Sequence, residues 1–298
     1  MVAAPTHRSR PRPRAALISL LLACTGLACS GESAEAPAAP TPADEASSAD
    51  EASSAADASA PSGGARARGR AELQVNAEDE PHDEAELGAL RLSFAFEGTP
   101  PERFLLGAAS SPECKHHPEV DQRSNLVLVE NGKLANVFVT LKSGVDPARI
   151  PPVPDTPVEL DQRGCMYLPR VVGVRVGQKL HVLNSDPTAH NVNVQSKRNP
   201  GSNRSMGANQ KPLEFVFKER ELEILAKCDI HPWMGAQIHV EEHPWFGISD
   251  SEGGVRIRGI PPGEYTVEAR HEVYGTQSAK VTVRAGRTSV LGGTFRAK

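Results

Sequence analysis

The stretch Glu221-Leu-Glu-Ile-Leu-Ala-Lys-Cys228-Asp-Ile-His231-Pro-Trp-Met234 divides into two halves with different chemistry. In the first, Leu222, Ile224 and Ala226 alternate with polar or outward positions, the period-2 pattern of a half-buried strand. In the second, Asp229 and Pro232 end the strand, and a thiol, an imidazole and a thioether follow within seven residues. A strand that delivers three soft or borderline donors to one loop predicts a β framework with a site at one end.

The same period recurs outward from this point. Leu90, Leu92, Phe94 and Phe96 alternate, as do Val137, Val139 and Leu141, then Val172, Val174 and Val176, then Leu180 and Val182. The runs from Leu213 to Phe217, Gln237 to Val240 and Val255 to Arg258 continue it, separated by turn signals such as Asn131-Gly132, Gly177-Gln178 and Pro261-Pro262-Gly263. No segment carries an amphipathic helix of three turns. Many short strands with turn residues between them predict an all-β fold, a Greek-key sandwich or barrel. The polar stretch from Gln195 to Pro212, with Lys197, Arg198 and Arg204, reads as a loop.

Charge locates the folded part. The chain has 298 residues, a net charge of −4 and only 4% aromatics. Residues 1–29 hold four arginines and no acid, while 30–90 hold 14 acids against Arg66, Arg68 and Arg70, which leaves +3 on 91–298. Residues 30–87 are Ala, Ser, Pro and acid, too apolar-poor to offset chain entropy, and predict an extended acidic linker. No basic stripe with interleaved aromatics marks a nucleic-acid surface. The apolar run from Ala15 to Ala28 is too short to span a bilayer. With Arg8 to Arg14 before it, the run reads as an export signal, and its ending in cysteine resembles a bacterial lipoprotein signal. Leu21-Leu-Ala-Cys24 has the better lipobox; Gly26-Leu-Ala-Cys29 has the fuller apolar run and leaves no spare thiol, which favours Cys29 over Cys24 as the lipid anchor. The residue after either cysteine is not Asp, and by that resemblance the outer membrane, facing the periplasm, is the expected address.

A second donor-bearing stretch, Asn184-Ser-Asp-Pro-Thr-Ala-His190-Asn191, follows the strand predicted around Leu180 and Val182. Together the two stretches supply His190, Cys228, His231 and Met234. Two imidazoles and a thiolate with a weak axial thioether are the donor set of blue-copper electron transfer. A structural zinc site uses paired Cys or His and has no need of Met. Covalent haem attachment needs a second Cys immediately before the His, where Ile230 stands. A Cys/His nucleophilic pair faces across a cleft, whereas a three-residue loop spacing turns both groups toward one point.

Cys-x-x-His-x-x-Met after a strand, with an upstream His-Asn, resembles the cupredoxin family, and the short loop is most similar to amicyanin's. The resemblance covers roughly 165–245. It implies His190, Cys228 and His231 as strong ligands to a single type 1 copper and Met234 as the axial one. It further implies that Asn191 ties the two ligand loops together and donates toward the cysteine sulfur. Pro232 and Trp233 would form an apolar patch for a redox partner, with Trp233 read equally well as a loop anchor. The same resemblance implies an exposed His231 that protonates and leaves the metal in its reduced state.

Two features depart from a small cupredoxin. Cys114-Lys-His116-His117 and Arg163-Gly-Cys165 lie in an N-terminal extension. In an oxidising compartment a Cys114–Cys165 disulfide is the simplest pairing, closing a loop of roughly 50 residues worth about 4 kcal/mol; a second metal site from His116, His117 and Cys165 is the alternative. The tail, with Gly259-Ile-Pro-Pro-Gly-Glu-Tyr265, resembles the carboxypeptidase regulatory-like, transthyretin-type sandwich. Residues 246–298 are few for such a domain, so they are expected to dock on a copper domain spanning 88–245 or to be completed by its N-terminal strands. His243 and His271 are expected to be structural or exposed. The functional expectation is a membrane-tethered protein, not an enzyme, relaying single electrons to a cytochrome or copper oxidoreductase. The alternatives are copper binding or delivery without redox turnover, or an adhesion or scaffold module.

Overall fold

A computed structural model describes residues 73–81 and 86–298. The signal, the anchor candidates Cys24 and Cys29 and most of the acidic stretch lie outside them. The described residues are all-β, with only short 3-10 turns besides strands.

The chain begins one sandwich, builds a second inside it, and then returns to finish the first. The opening strands are β1 (Gln74–Pro81), β2 (Gly88–Glu97), β3 (Val129–Glu130), β4 (Lys133–Leu134) and β5 (Phe138–Ser143). The inserted sandwich comprises β6 (Val158–Arg163), β7 (Met166–Leu168), β8 (Val171–Arg175), β9 (Lys179–Asn184), β10 (His190–Gln195), β11 (Ser202–Met206), β12 (Leu213–Val216), β13 (Glu221–Lys227) and β14 (Gly235–Glu241). The returning strands are β15 (Phe246–Ile248), β16 (Gly254–Ile260), β17 (Gly263–His271), β18 (Gly275–Val283) and β19 (Arg287–Arg296).

In the inserted sandwich, the sheet β11-β10-β13-β14-β8 packs on β12-β9-β6-β7. The alternating residues Val172, Val174, Leu180, Val182, Ile224 and Ala226 fill the space between them. In the outer sandwich, β1-β19-β2-β4-β3, with β16 also on β2, faces β15-β5-β17-β18. Leu90, Leu92, Phe94, Val139, Leu141, Val267, Leu291 and Phe295 meet in its core. Both are open sandwiches, and among the described residues no sheet closes into a barrel.

Of the two outcomes expected for the tail, completion by N-terminal strands is the one observed. β19 runs parallel to β2 from Thr288↔Ala89 to Arg296↔Glu97, and β17 pairs with β5. So few residues bury too little apolar surface alone, and strands from the other end of the chain supply the missing face. Two local expectations need correction. β1 falls within the stretch assigned to linker on composition, because an edge strand gains backbone pairing to β19 without needing an alternating apolar pattern. β11 forms within the polar stretch from Gln195 to Pro212, pairing Arg204 with Val192 on β10. There only Met206 reaches the core, and the Arg204 guanidinium lies 4.1 Å from the Phe215 ring centroid.

The two sandwiches are joined tightly. Phe138 of β5 stacks on His239 of β14 with ring centroids 4.1 Å apart. A bidentate ion pair links Arg170 to Glu272 at 2.8–3.1 Å.

Candidate metal centre

β13 and β14 pair through Lys227↔Gly235, which leaves 228–234 as their connection. The Cys228 N–H donates to the Met234 carbonyl at 3.3 Å, and the Met234 N–H donates to the His231 carbonyl at 2.9 Å. These bonds fold the loop back on itself and hold its donors on one side. β10 pairs with β13 through Asn193↔Lys227, so His190, the first residue of β10, reaches the same end of the sheet.

The donors converge. His190 Nδ1 and His231 Nδ1 are 2.9 Å apart, and Cys228 Sγ lies 4.0 Å from the first and 3.8 Å from the second. All three residues are buried, His190 completely. Met234 is buried in the same core as Cys228. Cys228 is the free cysteine among the described residues.

The Asp186 carboxylate orients this set. It accepts from His190 Nε2 at 2.9 Å, from the Gly164 N–H at 2.6 Å and from the Cys165 N–H at 2.9 Å. With Nε2 donating to the carboxylate, the Nδ1 lone pair of His190 is left facing the sulfur and His231. Burial pushes the His190 imidazole toward its neutral form, but the bond to Asp186 and the adjacent Cys228 outweigh it and raise its pKa. Burial likewise raises the Cys228 thiol, yet His190 and the backbone N–H groups of Asn191, His231 and Ile230 hold it below the usual thiol range. Burial and the nearby His190 keep His231 below the ordinary imidazole range. A polarised, buried thiol facing two imidazole nitrogens is a donor set that fits a soft or borderline cation such as copper.

Asn191 occupies the position expected for it. Its Oδ1 accepts from the Asp229 N–H at 2.6 Å, binding the two ligand loops, while its Nδ2 donates to Asn203 and Asp229. Tyr167 adds a second tie, its hydroxyl donating to the Asn191 carbonyl at 3.0 Å.

The N-terminal extension changes the surface of the site. Cys114 and Cys165 form a disulfide. The segment 104–124 closes on itself, with the Ser124 N–H donating to the Phe104 carbonyl and the Leu106 N–H to the Gln122 carbonyl. It packs against the ligand loop. At Gly107 an added Cβ would stand 2.3 Å from the Trp233 ring. Trp233 is half-buried, its indole N–H donating to the Cys165 carbonyl at 3.0 Å, so it is a loop anchor, while Pro232 remains exposed. His231 is therefore not exposed; it is 5% accessible, and its expected protonation at the surface is corrected accordingly. His117 bonds the Ser185 carbonyl at 3.0 Å and Glu119 at 3.1 Å, and neither it nor His116 joins a donor cluster among the described residues. His243 bonds the Leu141 carbonyl at 2.9 Å and His271 accepts from the Val273 N–H, so both are structural.

Residues 230–296 match the model of the carboxypeptidase regulatory-like domain. That match takes in β14 to β19 and leaves β2 and β5, which complete the outer sandwich, outside it. No curated protein matches the chain. Among solved structures, a Cu-containing nitrite reductase (NirK) from Thermus scotoductus is similar at 20% identity over 35% of this chain, with a TM-score of 0.28. The match spans only 25% of the nitrite reductase. A purple cupredoxin from Nitrosopumilus maritimus is similar at 19% identity over 28% of this chain and 99% of its own, TM-score 0.25. A Cu(I) structure of an amicyanin mutant is similar at 21% identity over 35% of this chain and 98% of its own, TM-score 0.27.

Asp186, Tyr167 and the packing of the covering segment on the ligand loop were not marked by the sequence. Asp186 carries one usable signal, a carboxylate four residues before a candidate ligand. Gly107 carries none, because its role depends on a tryptophan remote in the chain.

Proposed function

We propose that this chain is a type 1 copper protein relaying single electrons in the cell envelope. In this reading Cys29 (or Cys24) carries the lipid anchor, the acidic linker gives reach, and the folded part faces the periplasm from the outer membrane. The observation that carries the proposal is the mutual approach of His190 Nδ1, His231 Nδ1 and Cys228 Sγ within 4.0 Å, all three residues being buried. His190, Cys228 and His231 would hold the metal, with Met234 as a weaker thioether donor. Copper supplies one-electron exchange when bound. The chain's own residues do the rest: Asp186 fixes the His190 tautomer, backbone N–H groups favour the Cys228 thiolate, and the hydrophobic core excludes water. A cytochrome or copper oxidoreductase is the proposed partner, approaching over Pro232. In this reading the chain is a relay and not an enzyme.

The test is a visible spectrum with metal analysis on copper-loaded, oxidised protein. The reading expects an intense blue or purple colour that Cys228→Ala abolishes. Colourless protein with full copper content overturns it. A second reading, copper holding or delivery without redox turnover, is favoured by one observation: His231 lies under the disulfide-fastened segment. Fast reduction by a cytochrome supports the relay; tight Cu(I) with slow electron exchange supports holding.

A further inference from the structure

A second cluster of soft donors adjoins the first. The sulfurs of Cys114 and Cys165 and a ring nitrogen of His231 all lie within 4.8 Å of one another, buried. Donors bound to one ion at about 2.3 Å for sulfur and about 2.0 Å for nitrogen stand up to about 4.5 Å apart. The three atoms therefore need only side-chain rotation to share an ion. While the disulfide is closed its sulfurs offer no thiolate. Once it is open they become two soft ligands, the type that selects Cu(I).

We propose that Cys114, Cys165 and His231 form a latent site for a soft monovalent ion, Cu(I) or Ag(I), which the disulfide masks. Opening it requires a dithiol. The S–S bond breaks, two electrons and two protons pass from the dithiol to the two sulfurs, and the dithiol closes to its own disulfide. Each new thiol then loses its proton on binding the ion.

Contacts other than the disulfide hold the two cysteines in place. Gln122 Nε2 donates to the Cys114 carbonyl at 2.6 Å and to the Gly164 carbonyl at 3.0 Å, bridging the two segments. Asp186 accepts from the Gly164 and Cys165 N–H groups, and Trp233 donates to the Cys165 carbonyl. The tight turn between β6 and β7, with φ of +60° at Gly164 and +52° at Cys165, is closed by the Arg163↔Met166 pair. Both sulfurs stay beside His231 when the covalent bond is gone. The closed disulfide thus confines the pocket to the single set of His190, Cys228 and His231.

The test removes competing thiols: full-length chain carrying Cys24→Ser, Cys29→Ser and Cys228→Ala is titrated anaerobically with Cu(I) against bicinchoninate. With the disulfide intact it should bind less than a tenth of an equivalent. After dithiol reduction, verified by thiol count, it should bind one equivalent and keep its near-ultraviolet circular dichroism. Adding Cys114→Ser, or alkylating the reduced thiols, should return binding to the baseline. No gain on reduction overturns the proposal, and so does loss of fold on reduction, since the site requires the segment to remain anchored. The parent chain with Cys228 and an intact disulfide reports separately on the copper centre: failure there to bind one equivalent counts against the blue-copper reading and leaves the latent site to be judged by the reduced variant.

Discussion

Asp186 joins two pieces of chain that have no sequence relation, taking one hydrogen bond from a candidate ligand and two from the turn that carries Cys165. An amide at this position offers a single acceptor oxygen and its own donors, so Asp186→Asn cannot satisfy all three. The variant should lose about 1–3 kcal/mol in urea unfolding and bind copper roughly 10–100-fold more weakly in a competition titration. Unchanged affinity alongside lost stability would make the carboxylate structural only. Two other buried residues set an acid limit. Burial, with the charge of Arg170, pushes His271 down to about 4, and burial, with Arg270, pushes His239 down to about 3. Both are neutral in the folded protein, whereas the unfolded chain takes up these protons near pH 6.5. The contribution of these two histidines is therefore complete above pH 7 and falls as pH drops from 6.5 toward 4, by about 3 kcal/mol from His271 alone. A urea midpoint that stays flat across that window contradicts this assignment. The donors His190, Cys228, His231 and Met234 were legible as residues, because thiol, imidazole and thioether chemistry is intrinsic to the side chain. Asp186 was not, since an Asp after a strand is equally well explained as a turn former.

Among the elements, the covering segment 104–124 depends on a close approach that only glycine allows. Gly107→Ala places a methyl 2.3 Å from Trp233 and must shift one of them. A cost of roughly 1–3 kcal/mol is expected, together with a red-shifted tryptophan emission as the Trp233 indole leaves the Cys165 carbonyl. Trp245, buried and donating to the Gly259 carbonyl at 2.8 Å, serves as the unshifted reference. Emission identical to the parent's would show that the segment does not bear on the ligand loop. The core strands β2, β5, β8, β9, β13 and β14 all lie where period-2 alternation predicts them. The edge strands β1 and β11 do not show that pattern, because an edge is specified by backbone pairing to one neighbour and tolerates polar side chains on both faces. The segment over His231 has no period at all; short 3-10 turns, a disulfide and scattered hydrogen bonds hold it.

For the whole molecule, the decisive feature is that both ends of the described chain share one core around an inserted sandwich. Removing residues 246–298 strips β15 to β19, leaving β2 without its parallel partner and β5 without β17. Hydrogen exchange on such a truncated chain should find β2 and β5 unprotected, while β10 and β13 keep their protection in their separate core. Retained protection in β2 would mean that 88–245 folds as the continuous unit its sequence suggested. Local pattern dictates strand identity and the chemistry of the site, since alternation and donor type are properties of neighbouring residues. The pairing of the two chain ends, the burial of His231 beneath a distant segment and the reach of Asp186 to the Gly164–Cys165 turn arise otherwise. They follow from the free energy of burying apolar surface and satisfying hydrogen bonds between remote residues, and no stretch of neighbouring residues records that energy.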